Sequence, residues 1–250
     1  MKRYGLTGFP LSHSFSARYF ADKFAASGLK SVSYNNYPVE RVADIRLLFE
    51  QDRSLRGLNV TIPYKTEVIP FLDTLDSEAE EIGAVNVIKA HYDEERLILK
   101  GFNTDWYGFA ESLPADIRNG GGAALVLGTG GASRAIRFAL DRLGFNVGSV
   151  SRESGTGVVS YNDLAANIIS DSVLIVNTTP LGMYPDISGL PPLNYNSLSP
   201  RTFLYDLIYN PAETQFLKEG ISRGCRTSNG LRMLELQAEK SWEIWTSDPV

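Results

Sequence analysis

The stretch from Ala123 to Leu143 constrains this 250-residue chain more than any other. Ala123–Leu127 is an unbroken apolar run of the kind that forms a buried strand. Gly128-Thr129-Gly130-Gly131-Ala132-Ser133 follows at once, and a helix reads over Gly131–Leu143, with Ala135, Ile136, Ala139, Leu140 and Leu143 on one face. A strand that turns through Gly-x-Gly-x-x-small into a helix is the phosphate-binding corner of a βαβ unit. Gly128 permits the tight turn, Gly130 lets backbone approach a pyrophosphate, and Ser133 is small enough for helix and strand to pack closely. The free N–H groups of the helix start face the phosphates, with the positive end of the helix dipole behind them. The alternative is a glycine-rich corner that binds nothing.

The end of the next strand bears on the cofactor. Phe145–Val150 reads as that strand, and it runs into Ser151-Arg152-Glu153. An NAD-binding unit usually places a carboxylate there for the ribose 2′-hydroxyl, whereas an arginine accommodates a 2′-phosphate. Arg152 can fork onto such a phosphate, which favours NADP. Glu153 counts against it, because its carboxylate repels the same phosphate; an exposed Arg–Glu pair without a ligand is the other reading.

The rest of the chain reads as α/β. Strands at Tyr4–Thr7, Ser33–Tyr37 and Gly57–Thr61 alternate with helices at Phe15–Ala26, Val39–Glu50 and Pro63–Leu72, which argues for a mostly parallel sheet. Asp76–Ile82 is a short acidic helix, and Ala84–Ala90 and Arg96–Phe102 form a strand pair across the polar turn His91–Glu95. After the glycine corner, Ser154–Gly157 stands as a loop where a full crossover helix belongs. Tyr161–Ile169 reads as helix, Val173–Asn177 and Thr202–Leu207 as strands, and Ala212–Glu219 and Leu231–Trp245 as helices. This predicts a two-domain α/β protein: residues 1–105, completed by 229–250, and a Rossmann-like unit over 106–228.

Composition narrows the partners. Acidic residues outnumber basic ones, 29 to 24, for a net charge of −5, so a phosphate-backbone surface for nucleic acid is not expected. The single cysteine, Cys225, permits no intrachain disulfide, and no residue pattern has metal-ligand spacing, so no metal is expected. Lys2 and Arg3 have no apolar run behind them, and the longest aliphatic stretches, Ala123–Leu127 and Val173–Val176, are far too short to span a bilayer. The expectation is a soluble cytoplasmic protein without membrane partners.

Two further motifs carry chemistry. Ser12-His13-Ser14-Phe15-Ser16 lies between a strand and a helix; its hydroxyls suit a carboxylate at a helix start, but from the residues alone ordinary capping by Ser16 is the better explanation. Asn59-Val60-Thr61-Ile62-Pro63-Tyr64-Lys65 runs off a strand, with Asn59 and Thr61 on one face and Lys65 about a turn into the helix that follows. With Asn103-Thr104-Asp105 it offers a lysine and an aspartate, an acid–base pair for a hydroxyl or ketone, although spacing alone does not bring Lys65 and Asp105 together.

Taken in order, the motifs resemble the shikimate dehydrogenase (shikimate/quinate dehydrogenase) family nearly end to end. The markers are Ser-His-Ser-Phe-Ser at 12–16, Asn-Val-Thr-Ile-Pro-Tyr-Lys at 59–65, Gly-Ala-Val-Asn at 83–86, Asn-Thr-Asp at 103–105 and Gly-Thr-Gly-Gly-Ala-Ser-Arg at 128–134. Asn-Thr-Thr at 177–179, Asp-Leu-Ile-Tyr-Asn-Pro at 206–211 and Gly-Leu-Arg-Met-Leu-Glu-Leu-Gln-Ala at 230–238 continue them. The resemblance implies reversible NADPH-dependent reduction of 3-dehydroshikimate to shikimate, in aromatic amino acid biosynthesis, in a cleft between a substrate domain and a nucleotide domain. It makes Lys65 and Asp105 the catalytic pair. Ser14 and Ser16 would hold the substrate carboxylate, Thr61, Asn86, Asp105 and Gln237 the ring hydroxyls, with Asn59 and Tyr209 lining the pocket. For the cofactor it implies Gly128, Thr129, Gly130, Gly131, Ala132 and Ser133 at the pyrophosphate and Ser151 and Arg152 at the 2′-phosphate. Asn177, Thr178 and Thr179 would lie toward the nicotinamide, with Leu207 and Gly230 bordering its ring.

The chain departs from the family at Ser151-Arg152-Glu153, where Asn-Arg-Thr is common, at Leu207, where methionine is common, and in the shortened crossover after Arg152. A quinate-active relative with NAD preference and a catalytically silent nucleotide- or metabolite-binding module are the competing readings. The molecule is expected to be a monomer or homodimer.

Overall fold

The computed structural model describes residues 1–11, 15–94 and 96–247. Contacts divide the chain into two compact units, 1–104 with 238–250, and 105–237.

The first unit contains β1 (Lys2–Gly8), α1 (Phe15–Ala26), β2 (Val32–Pro38), α2 (Asp44–Gln51), β3 (Leu55–Val60), β4 (Thr74–Leu75), α3 (Ser77–Ile82), β5 (Val87–Asp93) and β6 (Arg96–Phe102). Its strands form one six-stranded sheet in the order β2-β1-β3-β5-β6-β4. Pairing is parallel for β1–β2, β1–β3 and β4–β6, and antiparallel where β5 meets β3 and β6. Both faces are buried. Leu55, Leu58, Val60, Ile88 and Leu99 pack with Ile45 and Phe49 of α2 on one side. Tyr4, Val87 and Phe102 pack with Phe20, Phe24 and Trp245 on the other. Full burial of side chains this size contributes about 1.5–3 kcal/mol each.

The second unit contains α4 (Asp105–Ser112), α5 (Ala115–Arg118), β7 (Gly122–Leu127), α6 (Gly131–Arg142), β8 (Phe145–Ser151), β9 (Val158–Ser160), α7 (Ala166–Asp171), β10 (Leu174–Asn177), β11 (Phe203–Asp206), α8 (Gln215–Ile221) and β12 (Arg226–Ser228). The last helix, α9 (Leu231–Thr246), is shared, its residues through Gln237 falling in this unit. All six strands are parallel, in the order β9-β8-β7-β10-β11-β12. Strand order reverses between β7 and β10, so the carboxyl ends of those two strands flank the topological switch point, where ligands of such sheets bind. Ala124, Val126 and Val176 bury one face with Ile136, Leu140 and Phe109, and Leu125, Leu127 and Ile175 bury the other with Phe216 and Ile169. This is why the strands read as continuous apolar runs rather than alternating ones.

Three predicted helices depart most from the sequence reading. The Val39 N–H carries the β1–β2 pairing one residue further by donating to Gly8, and the helix expected from Val39 begins at Asp44. The Tyr161 N–H donates to Ser151, and the helix expected from Tyr161 begins at Ala166. Residues 62–68 form successive turns and only Ile69–Phe71 is helical, a 3₁₀ turn, in place of a helix over Pro63–Leu72. Pro70 has no N–H to offer, and the Lys65 carbonyl accepts from Val85 at 2.7 Å instead of from the next helical turn. Lys65 therefore stands in a turn. The expected turn His91–Glu95 is also tighter, because β5 stays paired as far as Asp93, opposite Arg96.

Asp105 and residues 229–237, assigned from sequence to the first domain, cluster with the second unit. Met233 lies in the core with Phe109 and Tyr205, which accounts for that side of the division. Among the described residues, no helix is long and apolar enough to cross a membrane, and no group of three or more His, Cys, Asp or Glu is placed to hold a metal ion.

Candidate active site

In the first unit, a chain of buried hydrogen bonds joins several of the predicted substrate residues. Asn59, on β3, accepts from the Tyr34 hydroxyl at 2.8 Å. Its amide nitrogen donates to the Asn86 carbonyl at 3.3 Å and to Ser241 Oγ at 3.0 Å. Asn86 grips Thr104 twice: its Oδ1 accepts from the Thr104 N–H at 2.7 Å, and its Nδ2 donates to Thr104 Oγ1 at 3.0 Å. Thr104 Oγ1 lies 3.3 Å from Ser241 Oγ. At the other end, burial pushes the Tyr34 phenol well above its ordinary range, partly offset by a side-chain hydrogen bond with Ser16. Ser16, Asn59 and Asn86 are thus linked through Tyr34, Thr104 and Ser241; from sequence Thr104 reads only as part of Asn103-Thr104-Asp105, without a role, and Tyr34 and Ser241 lie outside every motif.

Thr61 is anchored by its backbone, its N–H donating to Thr7 at 2.9 Å and its carbonyl accepting from Tyr64. Lys65, half-buried, is tied by its carbonyl to Val85, which stands next to Asn86. Ser14 lies outside the described residues.

In the second unit, the glycine corner sits at the switch point. Gly128 has φ +111°, and a Cβ there would lie 2.7 Å from Thr178 Oγ1, so both conformation and space require glycine. The Gly128 N–H donates to Val150, while the Thr178 N–H and hydroxyl both donate to the Leu127 carbonyl, at 3.0 and 2.6 Å. The corner is held from both neighbouring strands. Gly130 caps α6, and a Cβ there would meet nothing within 4 Å. Ser133 is buried, its hydroxyl donating back to the Gly130 carbonyl at 2.6 Å. Thr129, Gly131 and Ala132 complete the turn into α6. Open space above Gly130, with the α6 N-terminus beside it, suits a dinucleotide's pyrophosphate.

Asn177 and Asp206 join the ends of β10 and β11. Asn177 Nδ2 donates to Asp206 Oδ1 at 3.1 Å, and Asn177 Oδ1 accepts from the Thr179 N–H at 3.0 Å and its hydroxyl at 2.7 Å. Asp206 also accepts from the Ile208 N–H at 3.0 Å and from Thr214 Oγ1 at 2.5 Å. Burial pushes its carboxyl up to about 6, against the pull of these three donors. The Leu207 N–H donates to Asn177, and the Leu207 carbonyl presses on Gly230, where a Cβ would sit 2.0 Å from it. The structure therefore brings together Gly128, Asn177, Thr178, Thr179, Leu207 and Gly230.

Asp105 begins α4 and is buried; Gln237 is buried on α9, donating to the Leu234 carbonyl at 2.8 Å. Tyr209 is half-buried, and burial raises its phenol pKa. Ser151 ends β8, half-buried, and Arg152 and Glu153 beyond it are exposed.

A doubly wound parallel sheet with a glycine corner at its switch point, joined in one chain to a second α/β sheet, defines a two-unit α/β protein of the nucleotide-binding type. The family model for the shikimate dehydrogenase substrate binding domain matches residues 6–88. The NADP(+)-named shikimate dehydrogenase of Carboxydothermus hydrogenoformans is 38% identical over 98% of this chain and 92% of its own length. The structure of the Thermus thermophilus shikimate 5-dehydrogenase in complex with NADP(H) and shikimate has a TM-score of 0.86 and 33% identity, covering 98% of this chain and 94% of that one. The Listeria monocytogenes shikimate 5-dehydrogenase in complex with shikimate and NAD has a TM-score of 0.83 and 28% identity, covering 100% and 93%. The chain belongs to the shikimate dehydrogenase family.

Proposed function

We propose that this chain catalyses the reversible NADPH-dependent reduction of 3-dehydroshikimate to shikimate. Full-length similarity to NADP-dependent family members carries the reading, and the switch-point geometry around Gly128 supports it. The bound cofactor supplies the hydride to the substrate ketone. The protein is left to supply the proton and to hold both ligands.

Lys65 is the proton donor. Its ammonium meets the negative charge that develops on the carbonyl oxygen, and in the reverse direction the neutral amine accepts the hydroxyl proton. Asp105 is the second member of the catalytic pair, its carboxylate accepting from a substrate hydroxyl. Ser14 and Ser16 bind the substrate carboxylate. Thr61, Asn86 and Gln237 bind ring hydroxyls, with Asn59 and Tyr209 lining the pocket. Asn59 and Asn86 enter with their amides already oriented by Tyr34, Ser241 and Thr104, so little ordering remains when substrate arrives.

Gly128 through Ser133 hold the pyrophosphate and Ser151 and Arg152 the adenosine end. Asn177, Thr178, Thr179, Leu207 and Gly230 shape the nicotinamide end. A second reading, NAD as the preferred cofactor, draws on Glu153, exposed directly after Arg152 at the end of β8.

The test is absorbance at the NAD(P)H band, with shikimate and quinate each crossed against NADP and NAD. The expected result is highest turnover with shikimate and NADP. Absence of turnover with all four pairs would remove the enzyme reading, and a preference for NAD would remove the role given to Arg152.

A further inference from the structure

The segment after Arg152 is built unusually. β8 and β9 pair in parallel, Ser149 with Val158 and Ser151 with Ser160, yet only residues 152–157 connect them. Parallel neighbours ordinarily need a crossover of a dozen or more residues. A connection this short cannot carry its own helix, so it must be fastened by side chains.

Asp163 does the fastening. Its Oδ2 accepts from Ser154 Oγ at 3.0 Å and from Ser160 Oγ at 2.6 Å. The Ser160 N–H donates to Ser154 Oγ at 3.2 Å, and the Asp163 N–H donates to Ser160 Oγ at 3.1 Å. Gly155 and Val158 exchange both backbone hydrogen bonds at 3.0 Å, closing the turn. The two hydroxyls hold the Asp163 carboxyl below the usual carboxylate range, Ser160 contributing most. Arg152, two residues before Ser154, is exposed, and its guanidinium makes no hydrogen bond or ion pair among the described residues. The Gly128 N–H donates to Val150, so the end of β8 is tied directly to the glycine corner.

We propose that Asp163 is a positioning residue for cofactor choice: by pinning Ser154 and Ser160 it fixes the loop from which Arg152 meets a 2′-phosphate. The proposal rests on the NADP reading above. It predicts the opposite sign from a simple charge effect. Asp163 is an anion, so if it acted only through its field, removing it would tighten binding of a phosphate nearby. Acting through the loop, its removal weakens that binding.

Adenosine 2′,5′-bisphosphate and adenosine 5′-monophosphate probe this without turnover, by calorimetry on the full chain. Wild type is expected to bind the bisphosphate more tightly, and Arg152→Ala to abolish that preference. Asp163→Ala and Ser160→Ala should each weaken bisphosphate binding about five- to tenfold, as loss of one charge-assisted contact does, with the monophosphate within about twofold of wild type. Asp163→Asn, whose carbonyl oxygen still accepts from both hydroxyls, should recover most of the loss. Undiminished preference in Asp163→Ala, or equal loss of both ligands in Asp163→Ala and Ser160→Ala, would overturn the role of Asp163. If Arg152→Ala loses the preference while Asp163→Ala keeps it, the NADP reading stands and only the positioning role falls. If wild type has no preference, both fall.

Discussion

Thr104 is held at both its backbone N–H and its hydroxyl by one side chain, that of Asn86. Asn86 follows the αL turn at Gly83 and stands at the start of β5, and Thr104 lies just past β6, so the pair clamps the end of one strand to the beginning of its antiparallel neighbour. Asp105 follows directly in the chain. The clamp therefore sets where the backbone delivers that carboxylate.

Replacing Asn86 tests the clamp. Asn86→Ala leaves a buried N–H and a buried hydroxyl short of a partner, and it should lower unfolding free energy by roughly 2–4 kcal/mol, read from urea melts. Asn86→Asp keeps the acceptor for the Thr104 N–H but loses the amide donor, so it should fall between wild type and alanine. An alanine variant as stable as wild type would mean the clamp does not matter to the fold.

Lys65 makes a contrasting prediction. It is half-buried in a run of turns, and the contact that shapes those turns is made by its backbone carbonyl. Lys65→Ala should cut kcat by about two to four orders of magnitude, the range for loss of a general acid, with far-UV circular dichroism checking that the variant is folded. Asp105→Asn should lower kcat in the same assay. A wild-type rate in Lys65→Ala would remove it from the mechanism.

Which elements were legible in the sequence follows from how local their causes are. The corner from Gly128 to Ser133 was readable because strand, turn and helix adjoin in the chain and each leaves a period or a glycine behind. The helix expected over Pro63–Leu72 failed for the opposite reason. Tyr64, Val68, Ile69 and Leu72 have helical spacing, but the Lys65 carbonyl is claimed by Val85, a partner that spacing cannot reveal. The same applies to the site. Asn59 and Asn86 stood out within motifs, whereas Ser241 bonds Asn59 across 182 positions of sequence. Its one local signal is that it lies four residues after Gln237 on α9, which puts both on one helix face. Asp163 left less still, because Ser154, Ser160 and Asp163 look like any polar loop until the strands on either side are paired.

Glu153 should hinder the cofactor that Arg152 favours. Both are exposed at the end of β8, and a carboxylate within a few ångströms of a phosphate in water costs about 1 kcal/mol at low salt. Glu153→Gln should therefore tighten NADP by about two- to fivefold and leave NAD within twofold, measured by fluorescence titration of the reduced cofactors. The gain should shrink at 0.5 M salt, where the screening length falls to about 4 Å. A gain of equal size for both cofactors would point to a cause other than the 2′-phosphate.

Asp206 makes stability depend on pH. Its carboxyl is raised to about 6 by burial, whereas in the unfolded chain it titrates near 3.8. Between those values the folded state holds a proton that the unfolded state has released, so stability falls as pH rises through the window and stays low above about 6. Acidification from pH 7 toward 4 should thus recover stability through this group, on the order of 2–3 kcal/mol. The opposite trend of ordinary paired carboxylates such as Asp52 and Asp73, both held low, overlays it in the same range. The difference between wild type and Asp206→Asn isolates the effect, since the asparagine carries no titrating proton at that site. Urea midpoints of the two proteins from pH 4 to 7 should diverge as pH rises, with wild type losing ground to the variant. Parallel midpoints across that range would show that Asp206 titrates as an ordinary carboxylate and that its three donors outweigh its burial.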